Sequence, residues 1–274
     1  MGKNSKVVEV VFKGERRAIY RNRNDLEIAE GDFVVVEAER GQDLGKASLV
    51  GSLVKLKRGK GETRSIIRMA VENDLEIHEK NKEKERGAFQ ICKEKIRHYN
   101  LDMKLVDVEL QFDGSKLTFF FTAAQRVDFR ELVKELASIY RTRIELRQIG
   151  VRDEAKRISG CGICGRKQCC SAFLNEFEQI TTQMAKNQQL ALNPSKISGN
   201  CGRLLCCLRY EDDMYQEIFK DFPPPGSQIT LEGKTGTVNY INIFEGKALV
   251  YFKETGQEWL SPEELRKGKI EHVA

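Results

Sequence analysis

Two cysteine-rich phrases, CGRKQCC at 164–170 and CGRLLCC at 201–207, repeat one another at an offset of 37 residues, from 164 to 201. An Ile-Ser-Gly sequence stands shortly before each copy, and seven of the eight cysteines lie between 161 and 207. The repeat is imperfect. Cys161 forms a Cys-x-x-Cys pair with the first copy, whereas Asn200, directly before Cys201, is taken as the matching lead-in of the second. The phasing of the thiols indicates that they act together.

The repeated phrase has the features of a thiolate site. In Cys-x-x-Cys a tight turn points two sulfurs at one metal ion. Arg166 and Arg203 place a positive charge beside each group, which lowers a thiol pKa and favours the thiolate, the species that binds metal. Glycines permit backbone conformations that a β-carbon would block. They stand beside the cysteines at Gly162, Gly165 and Gly202.

The clustered cysteines are therefore the candidate metal ligands. In each adjacent pair we expect one member to ligate and the other to pack or serve a second centre, because neighbouring side chains diverge. Zinc needs four ligands, and plant-type iron–sulfur proteins use C-x4-C with C-x2-C. The cysteine spacing therefore does not distinguish a zinc site from an iron–sulfur site. Buried packing and disulfides are weaker alternatives. The candidates are Cys161, Cys164, Cys169, Cys170, Cys201, Cys206 and Cys207.

The other cysteine and the histidines do not extend this ligand set. Cys92 lies in a helix-prone run and is expected in a hydrophobic core. His78, His98 and His272 are far from the cysteines in sequence and are expected at the surface.

The composition is that of a globular protein of 274 residues, long enough for two or more domains. No apolar run approaches the roughly 20 residues of a membrane helix. The first residues, MGKNSKVVEV, lack the hydrophobic region of a signal peptide. We therefore expect a cytoplasmic protein without membrane insertion, in which clustered thiols indicate metal or redox chemistry.

The hydrophobic pattern predicts an α+β protein with four parts. Short β-rich runs predict a small β-domain over 1–60, with RGKGE at 58–62 as the joint. Residues 61–157 are read as an α+β layer with a mostly antiparallel sheet: a helix over 66–98, a hairpin at Asp113-Gly114, a helix around 129–139 and a last strand. In that layer the strand residues Phe119, Phe120 and Phe121 are expected in the core.

The cysteine segment, 158–210, follows, with a predicted helix between its halves that stops near Pro194. Alternating strands and glycine turns then predict a small SH3-like β-barrel over 211–274.

The charge is uneven although the net charge is only +5. Residues 141–168 carry eight Arg/Lys against three Asp/Glu, and residues 210–274 carry seven against twelve. Most of these charges are expected to be solvated surface, but the basic stretch is a candidate face for RNA or an acidic partner. Its candidate contacts are Arg141, Arg143, Arg147, Arg152, Lys156 and Arg157.

No catalytic motif stands out, so we expect a non-catalytic protein. LEGKTG at 231–236 has Gln228 where a phosphate loop needs glycine, and it is read as a β-turn. A thiol oxidoreductase using Cys161 and Cys164 is a weaker alternative, because the motif lacks a thioredoxin-like setting. A zinc-stabilised RNA-binding protein is the stronger alternative.

The stretch TTQMAKNQ…LNPSKISG…CGRLLCCLRYE closely resembles the bacterial RicT/YaaT family, whose polymerase-suppressor C-terminal homology region would match roughly 60–150. The resemblance implies a non-catalytic subunit of a regulatory complex with RicA-like and RicF-like partners. It implies iron–sulfur clusters of the four-iron type, with ligands that can come from more than one subunit. It further implies association with endoribonuclease Y, control of mRNA processing, and a link to sporulation, competence and biofilm development.

Overall fold

A computed structural model describes residues 6–51, 54, 64–174 and 176–271. The predicted joint at 58–62 and His272 lie outside the described residues. The chain divides into two compact units, Met1–Gly160 and Cys161–Ala274. The predicted four-part division is finer than this and stays a prediction. Mixed α+β architecture, with separate sheets in the two units, is confirmed.

The first unit opens with a five-stranded antiparallel sheet. Its strands, in chain order, are β1 (Val7–Val11), β2 (Arg17–Arg21), β3 (Phe33–Glu37), β4 (Gln42–Val50) and β5 (Ile66–Met69), and their order across the sheet is β2-β1-β4-β3-β5. β-branched valines dominate these strands and form the core, with Val8, Val10, Val34 and Val36 fully buried. The strand-rich prediction for this region is confirmed.

The predicted start of the first long helix needs correction. The sequence pattern places residues 66–71 in that helix, but Ile66–Met69 is a strand that pairs with β3. Ile66 is almost fully buried in the core of the first sheet. A short apolar run cannot be assigned to helix or strand by periodicity, and here the open edge of β3 decides the outcome.

The long helix α1 (Glu72–His98) follows and packs on a second, three-stranded sheet. That sheet consists of β6 (Lys104–Leu110), β7 (Lys116–Thr122) and β8 (Arg143–Gln148), with α2 (Arg130–Tyr140) between the last two strands. The predicted Asp113-Gly114 hairpin is confirmed, with Gly114 at φ 74°. Phe119, Phe120 and Phe121 are buried as predicted.

The prediction of a mostly antiparallel sheet is correct for one of the two strand pairings. β6 and β7 pair antiparallel, but β7 and β8 pair parallel. The helix α2 supplies the crossover that a parallel pair requires, and a β-α-β connection places the second strand parallel to the first.

A partly buried ion-pair network joins the next helix, α3 (Val151–Ile158), to the second sheet. The Arg157 guanidinium lies 2.9 Å from Asp107 and 2.7 Å from Glu109, and 3.5 Å above the Phe120 ring. Burial raises the pKa of the Glu109 carboxyl, and Arg157 opposes that rise. The arginine therefore compensates a carboxylate that would otherwise be costly to bury.

The second unit begins with short helices: α4 (Cys169–Ala172), α5 (Thr182–Asn187), α6 (Pro194–Ile197) and the longer α7 (Cys206–Phe219). The predicted long helix between the cysteine copies is wrong. Among the described residues of 173–193, only Thr182–Asn187 form an α-helix, and Pro194 begins a helix instead of ending one. Proline fits the first helical turn, where its missing N–H is not needed, and Asn193 caps that turn by accepting from the Ser195 N–H.

A five-stranded sheet forms most of the remaining chain: β9 (Gln228–Leu231), β10 (Lys234–Asn242), β11 (Lys247–Phe252), β12 (Gly256–Leu260) and β13 (Lys269–Glu271), with the short helix α8 (Pro262–Leu265) before β13. The order is β12-β11-β10-β9-β13, and the predicted SH3-like barrel closure stays a prediction. LEGKTG is the β9–β10 turn, as expected. Within the described ranges, no helix is long and apolar enough to cross a membrane.

We expect Arg157→Met to lower the free energy of unfolding by about 1.5–3 kcal/mol at pH 7, because Glu109 loses its partly buried counter-charge, whereas Asp107 keeps an ion pair with Lys13 at 2.8 Å. Without the arginine, the pKa of Glu109 rises further. Protonation then removes the uncompensated charge, so the loss should shrink as the pH falls toward about 5. Urea unfolding of the wild type and the variant at both pH values measures this loss in the free energy of unfolding.

Lys134→Met is the matched control, since Lys134 forms a 2.8 Å ion pair with Glu131 in which both side chains are largely exposed. It should change stability by less than about 1 kcal/mol at either pH. An equal effect of the two substitutions would contradict a stabilising role of the partly buried network.

Candidate metal centre

The two cysteine copies fold into the same backbone turn. An isolated antiparallel bridge joins Cys161 to Lys167 in the first copy, and the corresponding bridge joins Ser198 to Leu204 in the second. Each bridge lies 37 residues from its counterpart, as the sequence repeat requires. The duplication in sequence is therefore a duplication in structure.

Two hydrogen bonds close each turn at matching positions. Gly162 donates to the Arg166 carbonyl at 2.9 Å, and Gly199 donates to the Arg203 carbonyl at 2.8 Å. Inside these turns, the N–H of Gly165 donates to the Gly162 carbonyl at 3.0 Å, and its counterpart in the second copy spans 2.9 Å. We name these two turns the first knuckle (161–167) and the second knuckle (198–204).

A glycine at positive φ sits inside each knuckle. Gly165 has φ 76° and Gly202 has φ 72°, the left-handed region that a β-carbon disfavours. A β-carbon added at either position would meet no atom within 4 Å, so backbone strain alone explains why glycine suits both sites.

The adjacent cysteine pairs stand at helix starts directly after the knuckles. Cys169 opens α4 and Cys206 opens α7. Each pair thus follows its turn at the same spacing, although one helix has four residues and the other fourteen. The structure places all seven candidate thiols on two equivalent frames.

The structural counterpart of Cys161 is Ser198, which corrects the choice of Asn200 as the matching lead-in. Asn200 has a different role: its side-chain amide donates to the Cys161 carbonyl at 3.1 Å and so connects the two knuckles. The second copy therefore has a hydroxyl where the first has a thiol. Counting forward by the repeat offset of 37 residues from Cys161 reaches Ser198, so the sequence itself contained this signal.

The second knuckle rests on an apolar cluster that the first lacks. Leu204 and Leu205 pack against Ala185, Ile197 and Leu208, which are buried. At the equivalent positions the first copy has a lysine and a glutamine. The apolar support of the second knuckle thus comes from the two leucines of CGRLLCC, which CGRKQCC lacks. The first copy is accordingly more exposed, and two of its cysteines are exposed to solvent.

Thiols from both copies share one electrostatic environment. Burial raises the pKa of Cys207 to about 11, and Cys169 and Glu211 add to the rise. Burial also raises the pKa of Cys169, with Cys164 as a further cause. The lowering expected from Arg166 and Arg203 is not seen at Cys169 or Cys207, and the thiolate-stabilising role of both arginines stays a prediction.

The donor chemistry fits a thiolate-ligated metal or cluster, because soft sulfur ligands select zinc and iron–sulfur centres. Yet in the part of the chain that the structure describes, no group of three or more His, Cys, Asp or Glu side chains is arranged to hold a metal ion. The knuckles therefore provide donors without a closed ligand set.

The remaining predicted residues lie in the first unit. Cys92 is fully buried in a core cluster, as expected, and burial raises its pKa to about 12. His78 and His98 belong to α1. Of the proposed RNA contacts, Arg141 ends α2 in the left-handed region, Arg143 and Arg147 are exposed on β8, Arg152 and Lys156 are partly buried on α3, and Arg157 is held by two carboxylates.

Comparison with known proteins identifies the family. The model "PSP1 C-terminal conserved region" matches residues 64–149, as the sequence resemblance predicted, and "PSP1-like protein, third domain" matches 179–222. The "Stage 0 sporulation protein YaaT" of Bacillus subtilis is 48% identical over 239 residues, which cover 87% of each chain. The chain belongs to the YaaT family.

More distant relatives share parts of this YaaT-type chain. An uncharacterized protein of Schizosaccharomyces pombe is 32% identical over 49% of the chain, and "Protein PSP1" of Saccharomyces cerevisiae is 50% identical over 17%. These matches span only 22% and 6% of the two yeast proteins. No solved structure matches.

We predict that Gly165→Ala and Gly202→Ala each lower the free energy of unfolding by about 1–2 kcal/mol, the cost of a β-carbon in the left-handed region. Differential scanning calorimetry of the metal-free protein measures the loss.

Gly87→Ala is the control, because Gly87 lies in α1 and an added β-carbon there meets no atom within 4 Å. It should stabilise by about 0.5–1 kcal/mol. Stabilisation by all three substitutions would contradict the knuckle geometry.

Proposed function

We propose that this chain is a non-catalytic subunit of an iron–sulfur regulatory complex. The observation that carries the proposal is the pair of equivalent knuckles, which together with the helix starts that follow them carry seven thiols, and in which Ser198 stands where an eighth thiol would complete the symmetry. Two four-cysteine clusters require eight ligands. The chain is one donor short at a defined position, and a partner subunit supplies it.

The ligands would be drawn from the seven cysteines of the two copies. A four-iron cluster held there would supply a rigid cross-link between chains, sensitive to iron and oxygen. The thiols of this chain bind it, and the knuckle glycines orient those thiols. The exposure of Cys161 and Cys164 suits ligation shared with a second polypeptide.

The biological role follows from the family. The Bacillus subtilis relative is named a stage 0 sporulation protein, which supports a link to sporulation for this chain. We further propose RicA-like and RicF-like partners and association with endoribonuclease Y. The complex would steer mRNA processing in the cytoplasm and so affect competence and biofilm formation.

Zinc is the alternative occupant, because the first knuckle holds a Cys-x-x-Cys turn of the kind that zinc sites use. In that case the chain would be a zinc-stabilised RNA-binding protein. A thiol oxidoreductase has less support, since Cys161 and Cys164 lie in a turn closed by a β-bridge and not in a thioredoxin-like β-α-β setting.

The test of the cofactor is anaerobic purification of the protein together with its partner subunits, followed by iron, sulfide and zinc analysis. We expect a brown sample absorbing at about 400 nm, the property of iron–sulfur proteins. A colourless sample with stoichiometric zinc would establish the alternative.

Reconstitution of the isolated chain tests the missing donor. We expect fewer than two complete clusters per chain in the wild type. Ser198→Cys should raise the iron content, because it restores Cys-x-x-Cys in the second knuckle at the position equivalent to Cys161.

Asn200→Cys is the matched control. It adds a thiol two residues away, outside the bridge position, and removes the hydrogen bond to the Cys161 carbonyl. It should not raise the iron content. Two full clusters in the wild-type chain alone would show that partner ligands are unnecessary.

A further inference from the structure

The outward face of the C-terminal sheet carries three exposed aromatic side chains on neighbouring strands. Tyr240, Tyr251 and Trp259 are 45%, 47% and 44% exposed, on β10, β11 and β12 respectively. Their strand neighbours on the opposite face, such as Val238, Val250 and Leu260, are buried in the core. The aromatic residues are therefore solvent-facing by register and do not belong to the core.

The strand pairing brings these side chains into one patch. Leu249 pairs with Tyr240 on one side and with Trp259 on the other, so these three residues lie in one row across the sheet. Tyr251 lies two residues along β11, diagonal to both aromatics, and diagonal neighbours are about 7–8 Å apart. We call Tyr240, Tyr251 and Trp259 the aromatic platform.

Basic side chains surround the platform although this part of the chain is acidic overall. Lys247 pairs with Asn242 at one end of the face, and Lys269 pairs with Thr230 on the far edge. Lys253 follows the last residue of β11, where the alternation continues outward.

Most carboxylates of this region lie off the outward face. They occupy the helices α7 and α8, the hairpin turns and the core-facing side of β12. Lys247 lies close enough to Glu264 of α8 to lower the pKa of that carboxyl, and Glu254 follows Lys253 in sequence, so the lysines of the face are only partly offset by nearby carboxylates. A face with stacking surfaces and a local positive field complements a ligand that has both π-faces and phosphates.

We propose that the aromatic platform binds single-stranded RNA. Successive bases would stack on the three aromatic rings, and Lys247 and Lys253 would contact the phosphates. Stacking of this kind tolerates any base, so we expect little sequence preference. A proline-rich peptide also docks on exposed aromatics but is uncharged, so the lysines would contribute nothing to its binding. The proposal does not depend on the cofactor.

Trp259 provides a built-in reporter because it is the only tryptophan in the chain. Titration of the full-length protein with an unlabelled 12-nucleotide oligouridylate should quench its fluorescence as bases stack on the indole. A ten-residue polyproline peptide serves as the competing probe. Loss of quenching with rising salt should follow the release of counterions from the RNA.

Fluorescein-labelled oligouridylate measures the variants by anisotropy. We expect Trp259→Ala and Tyr251→Ala each to weaken binding roughly 5- to 100-fold, the loss of stacking for one base. Trp259→Phe should retain most of the affinity. The double variant Lys247→Ala/Lys253→Ala should make the slope of log K against log salt shallower by about 0.7 for each phosphate that it no longer neutralises.

Met214→Ala and Lys220→Ala are the controls, since both side chains are exposed and neither residue belongs to the strands of the sheet. They should leave binding unchanged. Absence of quenching, RNA binding that survives both aromatic substitutions, or binding of the polyproline peptide in place of RNA would each overturn the proposal.

Discussion

Two equivalent turns, each closed by a β-bridge and two backbone hydrogen bonds, fix where the clustered thiols of this chain lie. A tetrahedral zinc ion or a four-iron cluster takes four cysteine ligands, and a frame that presents fewer leaves the site open. The two knuckles have the same bridge, the same pair of hydrogen bonds and the same left-handed glycine, yet one lead-in is Cys161 and the other Ser198. The two frames are equivalent, but the second has one cysteine fewer than the first. The duplication alone therefore does not provide two complete sets of four thiol donors.

The second unit also links its thiols to its C-terminal sheet. The Gln189 side chain, between the two copies, donates to the Ile241 carbonyl at 2.8 Å and accepts from the Ile241 N–H at 3.1 Å. Ile241 is next to Tyr240, so the residue that begins the aromatic platform is held by the segment between the knuckles. The Gln189 side chain therefore connects the segment between the knuckles to the strand β10.

Local signals in the sequence were sufficient wherever a short pattern determines a conformation. The Asp113-Gly114 hairpin, the helix ending at Tyr140 and the LEGKTG turn depend on glycine or on a clear hydrophobic period, and all three are confirmed. Ile66–Met69 and the parallel pairing of β8 depend on which distant strand edge is free, and no local pattern records that. Arg157 shows the same limit: its basic neighbourhood suggested a phosphate contact, but tertiary packing places it between two carboxylates.

The unequal support of the two knuckles bears on how an assembly would form. Leu204 and Leu205 anchor the second knuckle in an apolar cluster, so its thiols keep their positions without help from a partner. The first knuckle has polar residues there, and Cys161 and Cys164 are exposed. A partner that completes the ligand set would meet the better-anchored copy with little rearrangement, while the exposed copy would lose conformational entropy on binding. Under the proposed function, a cofactor shared with a partner would therefore be bound through one well-anchored copy and one exposed copy.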